Sequence, residues 1–298
     1  FYLKNLVDKC LIMKDGEIDR QLNHDDIENL NETDLQTYKL RTFNLSNIKY
    51  GLKNNAPISK QQSDFKVENL SFSYNNSYPV LENCNLKGSY GDTIAIIGYN
   101  GTGKTTLGKI ISGLLKNKCG EFYLEGRKVK QKELCKSVYF VMQDADYQLY
   151  SDSVLSELNL SSGFSKGGKY QELESAMKLL NIFEFKEQHP QALSGGQKQR
   201  VTIAAAITSN KHIIVFDEPT SGLDYNNMKA VSEAINTIRE HKVLNFVISH
   251  DLEFLSRVAT KAVFIDKGEI VKTLCVKNDS DFEIIKNFLS EREGGNYA

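Results

Sequence analysis

Gly98-Tyr99-Asn100-Gly101-Thr102-Gly103-Lys104-Thr105 is the stretch on which the reading of this chain turns. It follows a short apolar run at 94–97 and opens a stretch of helical spacing at 105–115. Glycines here let consecutive backbone N–H groups turn inward around phosphates, while Lys104 can reach the outer phosphate oxygens and the Thr105 hydroxyl can ligate Mg²⁺. An ordinary glycine turn before a helix needs neither the Lys nor the Thr.

Working outward, the spacing predicts strands at 65–72, 93–97, 138–142, 212–216 and 243–248, alternating with helices at 105–115, 197–207 and 225–239. Strand, helix, strand in that order implies an α/β chain whose sheet is largely parallel and carries helices on its faces. The apolar run at 213–216 ends in Asp217 and Glu218. There Asp217 can hold the Mg²⁺ shell and Glu218 can orient or deprotonate a water, although many buried parallel strands end in an Asp that only caps a turn. Further upstream, Leu193-Ser194-Gly195-Gly196-Gln197 leads a Ser-Gly-Gly turn into a helix. Such a turn offers bare amides and a helix N-terminus to an anion.

With 298 residues the chain is long enough for one large domain or two small ones at about 150 residues each. Its 40% hydrophobic and 25% charged residues are those of a folded globular chain. Lys and Arg number 37 against 38 Asp and Glu, so no basic excess points to nucleic acid or to anionic lipid. No apolar run reaches the length of a membrane span and nothing resembles a cleavable signal, which places the expected site of action in the cytoplasm. Five cysteines (Cys10, Cys84, Cys119, Cys135, Cys275) form no C-x-x-C pair and read as small buried hydrophobes. His24 beside Asp25 and Asp26 reads as a solvated acidic turn, and His189, His212 and His241 as ordinary polar residues.

The first eighteen residues repeat a later stretch at a shift of 252 positions: Leu3, Lys9, Gly16, Glu17 and Ile18 recur as Leu255, Lys261, Gly268, Glu269 and Ile270. Cys10-Leu11-Ile12-Met13 falls over Ala262-Val263-Phe264-Ile265, a short apolar strand before a glycine-containing hairpin turn. Residues 1–18 are therefore expected to be the tail of an upstream, related domain, with Leu11, Ile12 and Met13 lacking a core to join. Residues 19–64, rich in Asn, Asp and Gln, read as a linker, and 65–298 as the domain that carries the motifs.

Over residues 65–274 the chain resembles the ATP-binding cassette (ABC) ATPases, whose motifs occur in order. The resemblance matches Tyr74 to the aromatic that stacks on adenine, 98–105 to the Walker A loop and Gln143 to the Q-loop glutamine. Residues 193–197 match the LSGGQ signature, Asp217-Glu218 the Walker B ending with its catalytic glutamate, Ser221-Gly222-Leu223-Asp224 the D-loop, and His250 the switch histidine. The family's fold is a RecA-like P-loop NTPase core with an antiparallel β subdomain and a helical subdomain, the latter at about 143–192 here. The implied ligands are ATP and Mg²⁺. Carried over by motif, nucleotide contacts fall on Tyr74, Gly98, Asn100, Gly101, Thr102, Gly103, Lys104, Thr105, Thr106, Gln143, Ser194, Gly195, Gly196, Gln197 and Asp224. Metal contacts fall on Thr105, Gln143 and Asp217, and catalytic roles on Glu218, His250 and Lys104. Tyr99 is bulkier than the family's small residue or proline, and Thr102 replaces a frequent Ser or Ala; neither place supplies a side chain to the chemistry.

Members of this family act as head-to-tail dimers, so the resemblance implies a second cassette, either a copy of this chain or the upstream domain. The run Gln143 to Tyr150 followed by Asp152-Ser153-Val154 is similar to the ATPases of energy-coupling factor importers, which take up vitamins or transition-metal ions. That similarity implies a separate transmembrane permease, a place on the inner face of the cell membrane and no nucleic-acid partner. The rival reading is a soluble, non-transport ABC ATPase of the translation-factor or DNA-maintenance kind. Against it, residues 19–64 are Asn-rich with Pro57 and no sustained heptads, and no coiled coil splits the cassette.

Overall fold

In the computed structural model, which describes residues 8–14, 16–42, 47–52, 63–75, 78–116, 119–163 and 170–290, the strand before the phosphate loop lies inside a six-stranded sheet. Leu3 of the repeat and residues 43–46 and 53–62 of the polar stretch fall outside the described residues. The described residues open with a hairpin, β1 (Lys9–Lys14) and β2 (Glu17–Asn23), followed by short helices α1 (His24–Glu28) and α2 (Glu32–Thr37). Strands β3 (Phe65–Phe72), β4 (Leu81–Gly88), β6 (Cys119–Leu124) and β7 (Arg127–Val129) make a four-stranded antiparallel sheet in the order β4-β3-β6-β7.

Between these strands the chain enters the large sheet with β5 (Thr93–Gly98), and later returns with β8 (Val138–Val141), β9 (Ile213–Asp217), β10 (Leu244–Ile248), β11 (Lys261–Asp266) and β12 (Glu269–Cys275). The order is β12-β11-β5-β10-β9-β8, parallel except for the antiparallel edge strand β12. Every residue of β5, β9 and β10 is buried, as parallel strands covered on both faces must be. The antiparallel sheet closes one face through Phe65, Leu70, Leu81 and Phe122, which join Ile94, Ile96 and Phe246 in one core.

Helices cover the rest: α3 (Lys104–Ile111), α4 (Gln131–Ser137), α5 (Val154–Ser161), α6 (Tyr170–Leu179), α7 (Gly195–Ile207), α8 (Tyr225–Glu240), α9 (Leu252–Val258) and α10 (Asp279–Ser290). The sequence reading has no counterpart for β4, β6 and β7. Along β4 only Leu81, Cys84, Leu86 and Gly88 face inward, between Glu, Asn and Lys, so its apolar content is too thin to register. Cys84 alone among the five cysteines is buried; Cys119, Cys135 and Cys275 are exposed and Cys10 is intermediate, which corrects the reading of all five as core residues. His24 opens α1, capped by Asn23, whose side chain accepts from the Asp26 N–H at 2.9 Å.

The stretch read as a linker holds more structure than its composition suggests. After α2, two described pieces of this stretch, 39–42 and 47–52, form a strap against α8, α9 and α10. Ile48 is buried in the main core, and Tyr50 sits 6.0 Å from the Phe282 ring and donates its hydroxyl to Ala259 O at 2.9 Å. Its N–H reaches Asp279 Oδ1 at 2.6 Å, and the Gly51 N–H donates to Ser256 O at 3.0 Å. Two anchors among polar neighbours have no periodicity to reveal them.

The hairpin β1–β2 matches β11–β12 strand for strand, with all four bounds 252 apart. The ladder of β1–β2 is irregular between Ile12 and Met13, and that of β11–β12 between Phe264 and Ile265, the same places under the shift. Gly16 and Gly268 share a left-handed φ, 86° and 84°. Ile12 packs into a small core of its own with Leu22 and Ile27, whereas Leu11 and Met13 stay 50% and 60% exposed. Their counterparts Val263 and Ile265 are fully buried.

Candidate functional site

The loop after β5 is shaped by its glycines. Gly101 and Gly103 take φ of 82° and 99°, a region open to glycine and strained for L side chains. At Gly98 a methyl group would come within 2.5 Å of Ile265 O, so the loop's first residue must be bare for β5 and β11 to lie this close. The Thr102 hydroxyl donates to Tyr99 O at 2.8 Å and closes the turn from beneath. Tyr99 points away from the loop, stacking on Phe288 of α10 at 5.3 Å with its hydroxyl donating to Phe288 O. Its bulk is thereby absorbed by packing.

Lys104, buried at the start of α3, donates to Gly98 O and Tyr99 O at 2.7 and 2.8 Å. Burial lowers its pKa, against the opposing pull of Glu218 and Asp217. Thr105 Oγ1 donates to Asp217 Oδ1 at 3.2 Å, joining the loop to the end of β9. Burial raises the pKa of Asp217 and, with the Asp217 charge beside it, pushes Glu218 up to about 7. Glu218 holds a left-handed φ of 49°, a strained conformation for a non-glycine residue. Its N–H donates to Ile248 O at 2.9 Å and its carbonyl accepts from Ser221 N–H at 3.2 Å, which fix it there. Ser249 Oγ donates to Glu218 Oε2 at 3.3 Å, and His250 Nε2 stands 3.8 Å from Oε1. Burial, then the Lys104 charge, lowers the pKa of His250.

These groups face one open cleft of about 610 Å³, lined by Tyr74, Asn100, Gly101, Gly103, Lys104, Thr105, Thr106, Gln143, Asp217, Glu218 and His250. Gly98 and Thr102 belong to the loop beneath it. Tyr74 stands at the cleft with its hydroxyl 3.2 Å from Thr106 Oγ1 and its ring edge-on to Phe72. Val80, Ser221 and Ile248 also line the cleft and were missed as site residues by the sequence reading. Ser221 is brought back by the tight turn after Glu218. Val80 precedes β4, whose register nothing in the sequence announces; its carbonyl lies 3.0 Å from where a Gly103 Cβ would be.

Ser194, Gly195, Gly196, Gln197 and Asp224 do not line this cleft. Ser194 caps α7 in a reciprocal box, its N–H donating to Gln197 Oε1 at 2.8 Å and its hydroxyl accepting from the Gln197 N–H. The turn is exposed, with open space over Gly195, and so presents the N-terminus of a 13-residue helix to the surroundings. Asp224 caps α8, accepting from Asn227 N–H at 2.8 Å.

The donor set fits Mg²⁺ held together with phosphate oxygens. One hydroxyl, Thr105, and one carboxylate, Asp217, already touch, with Gln143 on the same cleft. Mg²⁺ uses few protein ligands in this way, keeping waters and substrate oxygens for the rest. Among the described residues no group of three or more His, Cys, Asp or Glu could hold a metal by itself.

Comparison with known proteins gives the family and the fold. The family model described as ABC transporter matches residues 81–221. A putative ABC transporter ATP-binding protein of Treponema denticola is 32% identical over 287 residues, covering 95% of this chain and 58% of that protein. The energy-coupling factor transporter ATP-binding protein EcfA2 of Caldanaerobacter subterraneus subsp. tengcongensis is 34% identical over 222 residues, covering 69% of this chain and 77% of its own length. Among solved structures, the dimeric ATP-binding cassette MJ0796 in a post-hydrolysis state with ADP and Pi aligns with TM-score 0.64 and 26% identity, over 72% of this chain and 99% of that one. The cbiO1 protein of Clostridium perfringens, part of the ABC transporter complex cbiONQ, aligns at 0.63 and 24% identity, over 78% of this chain and 94% of its own, which speaks to the fold. The chain belongs to the ATP-binding proteins of ABC transporters, a family of ATP-hydrolysing cassettes. It spans 58% of the length of the two Treponema relatives.

Proposed function

We propose that this chain binds and hydrolyses Mg-ATP as the energising subunit of an ABC importer for a small nutrient of the vitamin or metal-ion class. The observation that carries the reading is the separation of the two phosphate-facing elements. The cleft holds the phosphate loop, Glu218 and His250, while the Ser194 to Gly196 turn faces outward elsewhere. A complete site then needs a second cassette, packed head to tail, whose signature turn covers this cleft.

Within such a site Lys104 and the partner's amides neutralise charge on the terminal phosphoryl group. Bound Mg²⁺ would supply further charge neutralisation there, held by Thr105, Asp217 and Gln143. Glu218, with a carboxyl pKa near 7, takes a proton from water at Oε1 or Oε2 while Ser249 and His250 hold its orientation. Tyr74 offers its ring to the base.

The importer assignment is supported by the 34% identity to a protein named as an energy-coupling factor transporter ATP-binding protein. No helix of the described residues is long and apolar enough to cross a membrane, so in this reading the chain docks on a separate permease from the cytoplasmic side. The matching hairpins support an upstream cassette in the same polypeptide as the partner. β11 lies between β12 and the phosphate-loop strand, and β1, with β2 on one side and exposed Leu11 and Met13, has the form of the same strand belonging to another sheet. The test is affinity capture of the full-length protein from detergent-solubilised membranes. Co-purification of a polytopic membrane protein at stoichiometric level is expected; recovery of ribosomal or DNA-bound partners in its place would overturn the importer reading.

A further inference from the structure

Residues 39–42 of the strap lie against two loops on which the cleft depends. Lys39 O accepts the N–H of Tyr225, the residue after Asp224, at 3.3 Å. Arg41 pairs with Asp251, the residue after His250, and places its Nε 3.1 Å from Glu253 Oε2. Asp251 is where the two loops meet. Its Oδ1 caps α9 through the Phe254 N–H at 3.0 Å, and its Oδ2 accepts from Thr220 Oγ1 at 2.8 Å as well as from Arg41. The Asp251 N–H donates to Ser249 Oγ at 3.1 Å, the same hydroxyl that donates to Glu218. Thr220 in turn stands between two cleft-lining residues, Glu218 and Ser221.

Asp251 and Glu253 carry like charges on one turn, and Arg41 is the cation set between them. The pair is largely shielded, with 28% and 17% side-chain exposure, so it is both weakly screened and geometrically defined. Without the guanidinium the two carboxylates repel, and Asp251 has reason to turn toward water and release Thr220.

We propose that Arg41 is a positioning residue for the ATP site: by fixing Asp251 it holds Thr220 and the turn 218–221, so that residues 39–42, between the first hairpin and the cassette in sequence, are a mechanical part of the site. This rests on the cleft being the site of ATP hydrolysis, and it adds a route by which movement of the upstream segment reaches Glu218 and Ser221.

Two measurements decide it. In the nucleotide-free chain, Arg41→Ala should speed amide hydrogen exchange over 218–225 by about tenfold while the phosphate loop at 98–105 is unchanged. In steady-state ATP hydrolysis by the full-length protein the same substitution should lower kcat about fivefold with KM within about twofold, and should cost nothing further in an Asp251→Asn background, where the helix cap is kept and the charge is gone. Arg41→Gln decides the matter if the alanine variant fails to fold. Unchanged exchange over 218–225 in a folded variant, or an equal cost in both backgrounds, overturns the proposal. A full-length wild-type protein, with both cassettes present, that shows no turnover above that of its Lys104→Ala variant would sink the hydrolysis reading alone, and the exchange result would still decide the role of Arg41.

Discussion

His250 Nε2 stands 3.8 Å from Glu218 Oε1, each just past the carboxyl end of neighbouring parallel strands. Parallel strands bring their ends to one edge, and here that edge pairs a carboxyl with raised pKa against an imidazole with lowered pKa. Such opposed shifts suit a carboxylate made a stronger base, exchanging its proton near pH 7, beside a partner held neutral there. In the full-length protein kcat/KM for ATP should therefore rise with pH on an acid limb centred at about 7. Glu218→Gln should remove that limb and reduce turnover by about 10² to 10⁴. An unchanged acid limb in the variant would assign the titration to another group.

The same carboxyl makes stability depend on pH. A folded-state value of about 7 against an ordinary 4.5 means that between these values the folded chain holds a proton the unfolded chain has released. Stability contributed by the neutral form is present below 4.5 and is lost as pH rises through about 7. In the absence of nucleotide and Mg²⁺, Glu218→Gln should thus be more stable than wild type by about 1 to 3 kcal/mol at alkaline pH. The gap should close at acid pH. Thermal melting of both proteins at several pH values reads this directly, and a constant gap would refute it.

The strap and the hairpin should respond differently to substitution. Ile48 is buried in the main core, so Ile48→Ala should cost about 2 to 4 kcal/mol of cassette stability. Met13, 60% exposed, has no such role in this chain, and Met13→Lys should leave the melting temperature within about 1 °C. Equal losses in the two variants would mean that the hairpin belongs to the cassette's core.

How much of this was legible follows from where the signal lies. The phosphate loop, the end of β9 and the signature turn are local motifs, and each residue type there is demanded by a turn, a helix N-terminus or a strand end. Strands β5, β9 and β10 are apolar throughout because both faces are covered, and so they stand out. β4 and β6 alternate thinly at the surface, and the strap is anchored by isolated Ile48 and Tyr50, so neither leaves a period to read. Ser221 and Val80 reach the cleft only through tertiary contacts. That the Ser194 turn sits away from Lys104 is likewise a property of the fold, since sequence order places both motifs in one domain and says nothing of distance.

The outward position of Ser194 has a direct consequence. In the full-length protein Ser194→Arg, at the cap of α7, should leave the affinity of this chain's own cleft for ATP within about threefold while cutting turnover by about 10² or more. Equilibrium binding and steady-state hydrolysis on the same preparation separate the two quantities. A loss of affinity equal to the loss of turnover would place the turn in the chain's own cleft.

The central claim, that nucleotide is held by the cleft around Lys104, is tested most directly by calorimetric titration of Mg-ATP into the Glu218→Gln chain and into Glu218→Gln carrying Lys104→Ala as well. The account predicts one ATP bound per chain in the first and a loss of affinity of about 10²-fold or more in the second, because a buried cation aimed at the phosphates is removed. Equal binding by the two proteins would contradict it.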